Sequence, residues 1–395
     1  MRIVIINNDF RAYFPPRIKR FGEFLRVRGD ELHVVEIFSE SICYEFIRDD
    51  FGDLPHFVLY QGRYDGTTPM REICGRIARK LDEIGPDVVI SGDVNFPAGA
   101  AVLRWTKKNR RGMVVYTDSL KHTFRKNAVV RFIKKALLRG VGAVLCPAPA
   151  WDESMQELGF SKERIFYGLN TADNIYWGDK VGNESFTDLP GQYFLTLGRQ
   201  VKMKNLQNFA KAYLRYRSAG GEVPLVMVGD GYCHSEITEI LGGCDHVTFL
   251  PFQSREKVRE IFVRARALFL PSYKIETWGM VVSEAMAGGT PVAVSNQCGC
   301  ASTIVQETKN GFLYDPDSQE AMIDAMQQIE MMSQSEWQSY SDQSRSIIGD
   351  WGIGRFCQGA HDACSYALTN QRQLWNPVDY VIMRLWPGRI ASDDL

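Results

Sequence analysis

The chain has 395 residues, 45% of them hydrophobic and 24% charged, with a net charge of −1. This length predicts two domains, and the balanced charge indicates no nucleic-acid partner. Nine scattered cysteines without CxxC pairs favour reduced cytosolic thiols over a zinc site or a disulfide framework. We expect neither a signal peptide nor a membrane span, because the sequence opens on a predicted strand and no apolar run reaches about 18 residues.

Strands and helical patterns alternate through the first half of the chain. The predicted strands cover 2–7, 32–38, 57–61, 87–91, 113–117, 143–147 and 164–168. The main helical patterns between them cover 18–28, 70–84, 98–108 and 152–158. This alternation predicts a parallel, doubly wound sheet. We assign the first domain to 1–178, and the polar stretch 179–191 is typical of a linker.

Lysine and arginine concentrate between Arg104 and Arg139, where twelve of them accompany one acid, Asp118. Within this region, segment 128–139 predicts an amphipathic helix. Its two sides are apolar (Val129, Phe132, Ile133, Ala136, Leu137) and basic (Arg131, Lys134, Lys135, Arg139). Either the apolar side faces the core and the basic side faces water, or the helix docks on an anionic membrane surface. Further basic residues at 107–111, 121, 125 and 126 favour docking, at roughly 1 kcal/mol for each cation near anionic lipid.

A second alternating series begins at residue 193. Its predicted strands cover 193–197, 225–228, 247–250, 267–270, 291–295 and 311–314. Its helical patterns cover 206–217, 237–241, 257–264 and 319–332, with a short helix after residue 279. We therefore predict a second doubly wound domain over 190–365. In open sheets of this kind, ligands bind at the carboxyl ends of the strands.

The loop after the predicted strand 193–197 carries cations. It reads Gly198-Arg199-Gln200-Val201-Lys202-Met203-Lys204-Asn205. A strand-to-helix loop of this kind can hold Arg199 and Lys204 over a pair of phosphates. The alternative is a solvent-exposed basic loop that binds no ligand.

Two glutamates lie eight positions apart in the segment 271–291. Glu276 precedes a short apolar helix, whereas Glu284 lies within it. A carboxylate in an apolar helix needs partners, and the helix start near Gly279 leaves backbone N–H groups open to an anion. Glu284 lies within about two turns of that start, so it can hold hydroxyls beside a bound phosphate. The combination predicts a sugar-nucleotide site, and the alternative is a helix with one surface glutamate.

This segment resembles the Glu-x7-Glu signature of retaining GT-B glycosyltransferases of the glycosyltransferase family 4 type (glycosyl transferases group 1). The match is nearly complete from Pro271 to Pro291, with Trp278 where phenylalanine is commoner. The loop at Gly198 resembles the family's Gly-Arg-x4-Lys element, with Met203 in place of the usual acid. The resemblance covers about residues 1–356. It implies two Rossmann-like domains facing a cleft, with a helix at about 366–395 that crosses back to the first domain.

The resemblance also implies roles for individual residues. Arg199 and Lys204 hold the donor diphosphate, Glu284 binds the ribose hydroxyls and Glu276 contacts the donor sugar. The other donor-side positions contribute backbone contacts or turn geometry: Gly198, Gly229, Phe252, Thr277, Trp278, Gly279, Met280 and Val281. Such enzymes keep the anomeric configuration and need neither a metal nor another cofactor. We therefore interpret Asp315-Pro316-Asp317 as a turn and not as a metal ligand.

The first domain departs from the family pattern on its acceptor side. Many relatives carry a histidine near the reacting sugar where this chain has Ser119. His122, three residues further on, and Asp93, after the predicted strand 87–91, are the catalytic candidates of this domain. Arg17 ends the stretch 7–17, which replaces the Gly-Gly loop of many relatives, and is another acceptor-side candidate.

The sequence thus predicts a cytoplasmic hexosyltransferase, peripheral to the membrane, that moves a sugar from a UDP- or GDP-linked donor to a glycan or lipid-linked acceptor with retention. Its expected setting is the assembly of cell-surface polysaccharide or glycolipid. Two alternatives are a nucleotide-sugar epimerase of the same fold and a sugar-nucleotide-binding subunit without catalysis. The epimerase needs an acid/base pair on the first domain, where the sequence shows no convincing one. Acceptor-dependent release of the nucleotide distinguishes all three.

Overall fold

The structure, a computed structural model, describes residues 1–11, 13–40, 50–124, 127–179, 189–370 and 376–389. Most of the predicted linker and the basic residues Arg125 and Lys126 lie outside these ranges. The chain forms two compact units: Met1–Thr171 together with Ile353–Leu395, and Ala172–Gly352. None of the described helices is long and apolar enough to cross a membrane.

Thirteen strands are present in the described ranges. They are β1 (Arg2–Asn7), β2 (Glu31–Phe38), β3 (His56–Tyr60), β4 (Val88–Ser91), β5 (Gly112–Tyr116), β6 (Ala143–Cys146), β7 (Ile165–Tyr167), β8 (Tyr193–Leu197), β9 (Leu225–Val228), β10 (Val247–Leu250), β11 (Ala265–Leu270), β12 (Val292–Ser295) and β13 (Gly311–Tyr314). The first unit holds the sheet β3-β2-β1-β4-β5-β6-β7 and the second holds β10-β9-β8-β11-β12-β13. Every neighbouring pair of strands is parallel, which confirms the predicted doubly wound sheets.

Fifteen α-helices accompany these strands in the described part of the chain. They are α1 (Phe14–Arg26), α2 (Met70–Ile84), α3 (Pro97–Asn109), α4 (Ala128–Leu138), α5 (Asp152–Glu157), α6 (Asn174–Gly178), α7 (Leu206–Ser218), α8 (His234–Leu241), α9 (Arg255–Arg264), α10 (Met280–Gly288), α11 (Ala301–Ile304), α12 (Gln319–Met331), α13 (Gln334–Gly349), α14 (Ile353–Thr369) and α15 (Pro377–Leu385).

Each sheet reverses its strand order at one point. In the first unit the reversal lies between β1 and β4, and in the second it lies between β8 and β11. The connections that leave two such neighbouring strands run to opposite faces of the sheet, so a crevice opens at their carboxyl ends. The topology therefore marks one edge in each unit as the place for a ligand.

The inner strands are mostly apolar, as expected where both faces of a sheet are covered. In β1, Ile3, Val4, Ile5 and Ile6 have no exposed surface at all. Strands buried on both faces show continuous apolar runs, whereas half-exposed strands alternate. Burying each of these side chains stabilises the fold by about 1.5–3 kcal/mol relative to an exposed position.

The end of the chain belongs to the first unit from residue 353 onward, whereas the sequence placed this change at about 366. Helix α14 packs against α1 and against strands β4 to β7. Its buried side, which includes Phe356, Ala360, Cys364 and Ala367, is part of the first hydrophobic core. The period of these apolar residues continues across residue 365, so the predicted boundary fell inside one helix.

Two helices differ from the sequence-based expectation. Helix α1 begins at Phe14, inside the stretch expected to be a loop, because proline is well tolerated in the first helical turn. Helix α13 was not predicted, since its sequence is rich in serine and glutamine. Its start does carry a capping box in which Ser333 and Glu336 satisfy each other's backbone N–H groups.

Helix α4 forms where a basic amphipathic helix was predicted, but its apolar side is not uniformly buried. Ala136 and Leu137 are buried as expected. Val129 and Phe132, which belong to the same predicted apolar side, are 66% and 50% exposed. Only the last turns of the helix reach the interior, so its first turns project an apolar surface outward.

Candidate active site

The candidate site lies at the carboxyl edge of the second sheet, where β8 and β11 are neighbours. The basic loop leaves β8, and the loop that contains Glu276 leaves β11. The two loops are joined directly, because the backbone N–H of Tyr273 donates to the carbonyl of Met203 at 2.9 Å. Strand order thus brings two segments that are far apart in sequence to the reversal point of one sheet.

The basic loop is shaped by close approach to its neighbour after β9. Gly229 has a φ of 124°, and a Cβ there would collide with the carbonyl oxygen of Gly198. The side chain of Gln200, which is 1% exposed, links the two loops by donating from Nε2 to the Gly229 carbonyl at 3.0 Å. The loop then forms a short 3₁₀ turn over Lys202–Lys204. Gln200 was not among the predicted site residues. It lies between Arg199 and Lys202 in the sequence, and its burial is visible only in the structure.

Opposite charges meet between the two loops. The Lys204 ammonium and the Glu276 carboxylate form an ion pair, and their side chains are only 16% and 14% exposed. The buried hydroxyl of Ser272 lies 3.4 Å from the same Glu276 oxygen. Arg199 lies on the exposed side of the basic loop. The site therefore contains two cations and one carboxylate of the predicted set on adjoining loops.

Helix α10 begins directly after this carboxylate. Its N-cap residue, Gly279, has a φ of 95°, and a Cβ at that position would lie 2.6 Å from Cδ2 of Leu270. Both constraints require glycine. The first backbone N–H groups of an α-helix lack partners within the helix and attract anions. The carboxyl edge of β11 is thus occupied by a helix start suited to a phosphate.

Trp278 is part of the support for this loop. The residue is 2% exposed, its Nε1–H donates to Oγ of Ser283 at 3.1 Å, and its ring centroid lies 5.9 Å from that of Trp351. Its carbonyl accepts from the N–H of Cys300 at 3.1 Å. Tryptophan therefore fits where phenylalanine is commoner, because its extra N–H has a hydrogen-bond acceptor.

Glu284 lies within α10 and is 6% exposed. The helix around it packs against α6, α9 and α13, and Arg345 from α13 donates to the carbonyl of Gly288 at 2.9 Å. A carboxylate this well enclosed is costly unless hydrogen-bonding groups face it. The burial agrees with the expectation that Glu284 points inward, and its role in ribose binding stays a prediction.

Other predicted positions of this unit lie around the same edge. Phe252 follows β10 and is 59% exposed. Asp315-Pro316-Asp317 forms the expected turn, in which Oδ1 of Asp315 accepts from the N–H of Asp317 at 3.0 Å. Burial, together with the nearby Asp317 carboxylate, raises the pKa of Tyr273 above its usual value. Among the described residues, no group of three His, Cys, Asp or Glu side chains is arranged to hold a metal ion.

The acceptor-side candidates of the first unit are dispersed. Asp93 and Ser119 follow the neighbouring strands β4 and β5, so they share the carboxyl edge of that sheet. Asp93 pairs with Lys134 at 2.7 Å, and His122 is exposed in a short 3₁₀ turn. Arg17 is 3% exposed, and its Nε–H donates to the carbonyl of Thr171 at 2.9 Å. The structure therefore gives Arg17 a supporting contact inside the unit.

Sequence reasoning missed a set of polar groups at this first edge. Side-chain oxygens of Asn8, Ser91 and Tyr116 are buried and have no hydrogen-bond partner among the described residues. Burial raises the pKa of the Tyr116 phenol, and the carboxylates of Asp9 and Asp118 raise it further. These residues end or follow β1, β4 and β5. Their position at the ends of predicted strands was the signal that could have identified them.

Comparisons with known proteins agree with this arrangement. Residues 183–345 match the family model described as glycosyl transferases group 1. An uncharacterised glycosyltransferase of Methanocaldococcus jannaschii is 27% identical over 39% of this chain and 42% of its own length. The lipopolysaccharide core biosynthesis glycosyltransferase LpsE of Rhizobium meliloti is 25% identical over 48% of this chain and 54% of its own length. The chain thus spans about half the length of these curated relatives.

Solved structures extend the likeness to the whole fold. HepE of Anabaena, solved in complex with UDP and glucose, superposes with a TM-score of 0.67 over 92% of this chain and 99% of its own. Its sequence identity of 14% means that this likeness shows the fold alone. Two parallel-sheet α/β units, together with the likeness to solved glycosyltransferase structures, identify the GT-B fold. The match over residues 183–345 makes this part of the chain similar to the glycosyl transferases group 1 family, and the solved structures share the fold of the chain.

Proposed function

We propose that this protein is a retaining glycosyltransferase that moves a hexose from a UDP- or GDP-linked donor to a glycan or lipid-linked acceptor. The observation that carries the proposal is the joining of the basic loop and the α10 loop at the reversal point of the second sheet. There the Lys204–Glu276 ion pair adjoins the glycine-capped start of α10. Cations and a helix start suit a diphosphate, and a carboxylate suits sugar hydroxyls.

The diphosphate is the leaving group of this reaction, and its charge increases as the bond to the sugar breaks. Arg199 and Lys204 stabilise that charge together with the N–H groups at the start of α10. Fixed cations and helix dipoles can do this without a bound metal, because they are oriented before the reaction begins. Catalysis therefore requires no metal ion in this proposal.

Glu276 orients the donor sugar, and Glu284 binds the ribose hydroxyls further along α10. Glu284 is the fifth residue of this helix, so it lies about 6 Å along the axis from the first. A phosphate at the helix start and a ribose beside the second turn match the order of groups in a nucleotide sugar. Retention of the anomeric configuration follows from the resemblance to retaining enzymes.

The acceptor binds at the carboxyl edge of the first sheet, where Asp93, Ser119 and Tyr116 end or follow neighbouring strands. Asp93 is held by Lys134, so it positions an acceptor hydroxyl and is not the base. His122 is exposed and reaches the acceptor from its turn. Arg17 supports this edge from inside the unit through its bond to Thr171.

Two relatives support the choice of substrates. HepE forms complexes with UDP, UDP-glucose and glucose, and LpsE is named for lipopolysaccharide core biosynthesis. We accordingly assign the chain to the assembly of cell-surface polysaccharide or glycolipid, at the cytoplasmic face of an anionic membrane that helix α4 contacts. No feature of the first unit within the described ranges favours the epimerase, and the two loops of the second unit argue against a subunit without catalysis.

Thermal stabilisation by UDP, GDP, ADP and their glucose or mannose conjugates tests the donor site. A ligand at one hundred times its Kd stabilises the folded state by about 2.7 kcal/mol. One nucleotide is expected to raise the Tm of the wild type but not of Glu284→Ala, whereas Glu239→Ala, an exposed site on α8, behaves like the wild type. Release of that nucleotide should then depend on an added acceptor. Absence of any shift in folded wild-type protein would contradict the proposal.

Metal removal tests the assignment of charge stabilisation to Arg199 and Lys204. Turnover in excess EDTA is expected to equal turnover in Mg²⁺ or Mn²⁺, because protein cations neutralise the diphosphate. The measurement is the initial rate of nucleotide release with each addition. Loss of turnover in EDTA that Mg²⁺ or Mn²⁺ restores would show that a metal carries this role.

A further inference from the structure

Two helices of the first unit expose apolar side chains in rows. On α4, Val129 and Phe132 are 66% and 50% exposed. On α15, Val378, Val381 and Leu385 are 51%, 52% and 64% exposed. The α15 residues are spaced i, i+3 and i+7, so they lie on one side of the helix. We call these five residues the apolar surface.

The two helices that carry these residues are packed against each other. Helix α15 contacts both α4 and α3. Nη1 of Arg139, at the end of α4, donates to both carboxylate oxygens of Asp379 at 2.7 and 2.9 Å. Asp379 is 3% exposed and Met383, one turn later, is 6% exposed. The inner side of α15 therefore holds a buried carboxylate, paired with an arginine whose side chain is 41% exposed, while its outer side holds valine and leucine.

This arrangement departs from the usual pattern of a surface helix, whose apolar stripe faces the core and whose polar side faces water. On α15 the buried side chains are a carboxylate and a methionine, and three aliphatic residues are exposed. Rows of exposed apolar residues on neighbouring elements mark a surface that another apolar phase covers.

The charges around the apolar surface select the kind of partner. Residues 128–139 contain four Lys or Arg and no acid. Arg131 and Lys134 are paired with Glu157 and Asp93, each at 2.7 Å. Within the described ranges, Lys135 and Arg384 form no ion pair. Unpaired cations beside aliphatic rows match the phosphates and acyl chains of an anionic lipid leaflet.

We propose that α4 and α15 together form a lipid-docking surface. The apolar surface enters the boundary between headgroups and acyl chains, and Lys135 and Arg384 contact anionic headgroups. The inference rests on the membrane attachment in the proposed function and changes its mechanism. Attachment depends on insertion from two helices, whereas the sequence predicted docking through the basic amphipathic helix at 128–139, supported by neighbouring basic residues. A helix lying at such a boundary binds through its buried apolar area plus electrostatic attraction.

Flotation of the full chain with vesicles tests the docking surface. The vesicles are phosphatidylglycerol and phosphatidylcholine in equal amounts, compared with phosphatidylcholine alone. The test variant is Val378→Ser/Val381→Ser/Leu385→Ser, whose sites are all exposed, so the fold is expected to be kept. The matched control is Val27→Ser, which lies in the same unit and is 86% exposed at the wild-type valine. We expect binding to anionic vesicles to fall at least tenfold in the triple variant and to stay unchanged in the control.

Salt separates insertion from simple charge attraction. Screening at 0.5 M NaCl weakens contacts between exposed charges and headgroups but leaves apolar burial. The wild type is therefore expected to keep part of its vesicle binding in this salt, and Lys135→Gln/Arg384→Gln is expected to lose only the salt-sensitive part. Complete loss of wild-type binding in salt, or unchanged binding by the triple variant, would overturn the proposal.

Two further readouts separate lipid docking from self-association and from damage to the donor site. If the wild type self-associates in light scattering and the triple variant does not, the apolar surface is an interface between copies, and the lipid proposal is overturned. Nucleotide-induced stabilisation reports on the second unit, and the triple variant is expected to retain it in full. A chain that binds nucleotide but not vesicles loses only the docking inference, whereas one that binds vesicles but not nucleotide loses only the donor assignment.

Discussion

The ion pair between Lys204 and Glu276 joins the residue assigned to the diphosphate with the residue assigned to the sugar. A phosphate oxygen and the Glu276 carboxylate are both anionic acceptors for the same ammonium group. A donor diphosphate that binds Lys204 therefore weakens its hold on Glu276. The released carboxylate then becomes available for sugar hydroxyls. This single contact links binding of the two halves of the donor.

Glu276→Gln is expected to tighten binding of UDP or GDP while it slows sugar transfer. The variant removes the internal competitor for Lys204 but also removes the carboxylate that orients the sugar. We expect the Kd of the free nucleotide to fall about fivefold, which corresponds to about 1 kcal/mol. Titration calorimetry gives the Kd, and initial rates of nucleotide release from the donor give the loss of turnover.

Two lysines of the same 3₁₀ turn provide the control for this prediction. Lys204→Ala should weaken nucleotide binding about tenfold, since a charged hydrogen-bond partner contributes about 1.5–3 kcal/mol. Lys202→Ala should leave the Kd unchanged, because Lys202 is exposed on the turn. If Glu276→Gln bound nucleotide no better than the wild type, the idea that the Glu276 carboxylate and a phosphate compete for Lys204 would be wrong.

At this scale the sequence indicated the residues but not their contacts. Lys204 and Glu276 were each chosen from motifs, and their separation of 72 positions in the sequence hid their pairing. Gln200 and Ser272 lie inside the same motifs and were missed, because a buried amide or hydroxyl matters only when its partners are known. The bond of Arg17 to Thr171 was also invisible, since it joins positions 154 residues apart.

Helix α10 shows how an element can be fixed by its ends. It has nine residues, and glycines with positive φ lie at its N-cap and its C-cap. Seven of its residues are buried, so the helix depends on packing and not on exposed polar contacts. Its start is consequently held at one position relative to β11. A fixed helix start is what a phosphate site requires.

Gly279→Ala is expected to destabilise the second unit by about 2–4 kcal/mol, from a strained φ and a steric clash together. The matched control is Gly220→Ala, because Gly220 has a φ of 93° and open space around its Cα. That control should cost only about 1 kcal/mol, from the left-handed backbone alone. Urea unfolding measures both values. Equal destabilisation by the two variants would show that the contact between the new Cβ at position 279 and Leu270 adds nothing to the loss of stability.

Elements were predictable where the apolar period was strong. Strands such as β1, β8, β9 and β13 begin and end where the sequence placed them, since buried parallel strands leave unmistakable apolar runs. Helix α13 was missed, because Ser and Gln give it no such period. The burial of α4 was left open for a related reason, because an amphipathic pattern shows which residues share a side but not whether that side meets a core.

At the scale of the whole molecule, the chain passes from the first unit to the second between residues 171 and 172, and it returns to the first unit between residues 352 and 353. The first unit is consequently completed by the last part of the chain, since α14 contributes Phe356, Ala360, Cys364 and Ala367 to its core. The number of units and their sheet class followed from length and alternation. The two positions at which the chain changes unit did not follow from the sequence, because packing partners alone determine where one core ends and the other begins.

A chain ending at Gly352 is expected to lose the folded first unit. Removing α14 uncovers the side of the sheet from β4 to β7 on which this helix packs. Thermal unfolding followed by circular dichroism should show a single transition for the remaining unit, while a chain ending at Asn370, which keeps α14, retains both. Two unchanged transitions in the shorter chain would mean that the first core closes without α14.

The pairing of Trp278 with Trp351 gives the donor loop an optical property. Trp278 is two residues from Glu276, is nearly excluded from water and lies beside a second indole. Emission from this indole pair depends on the spacing and the polarity around both rings. We therefore expect a donor bound at the adjoining loop to change the intrinsic fluorescence of the unlabelled protein. Comparing nucleotide titrations of the wild type and Trp351→Phe would isolate that signal from the other tryptophans of the chain.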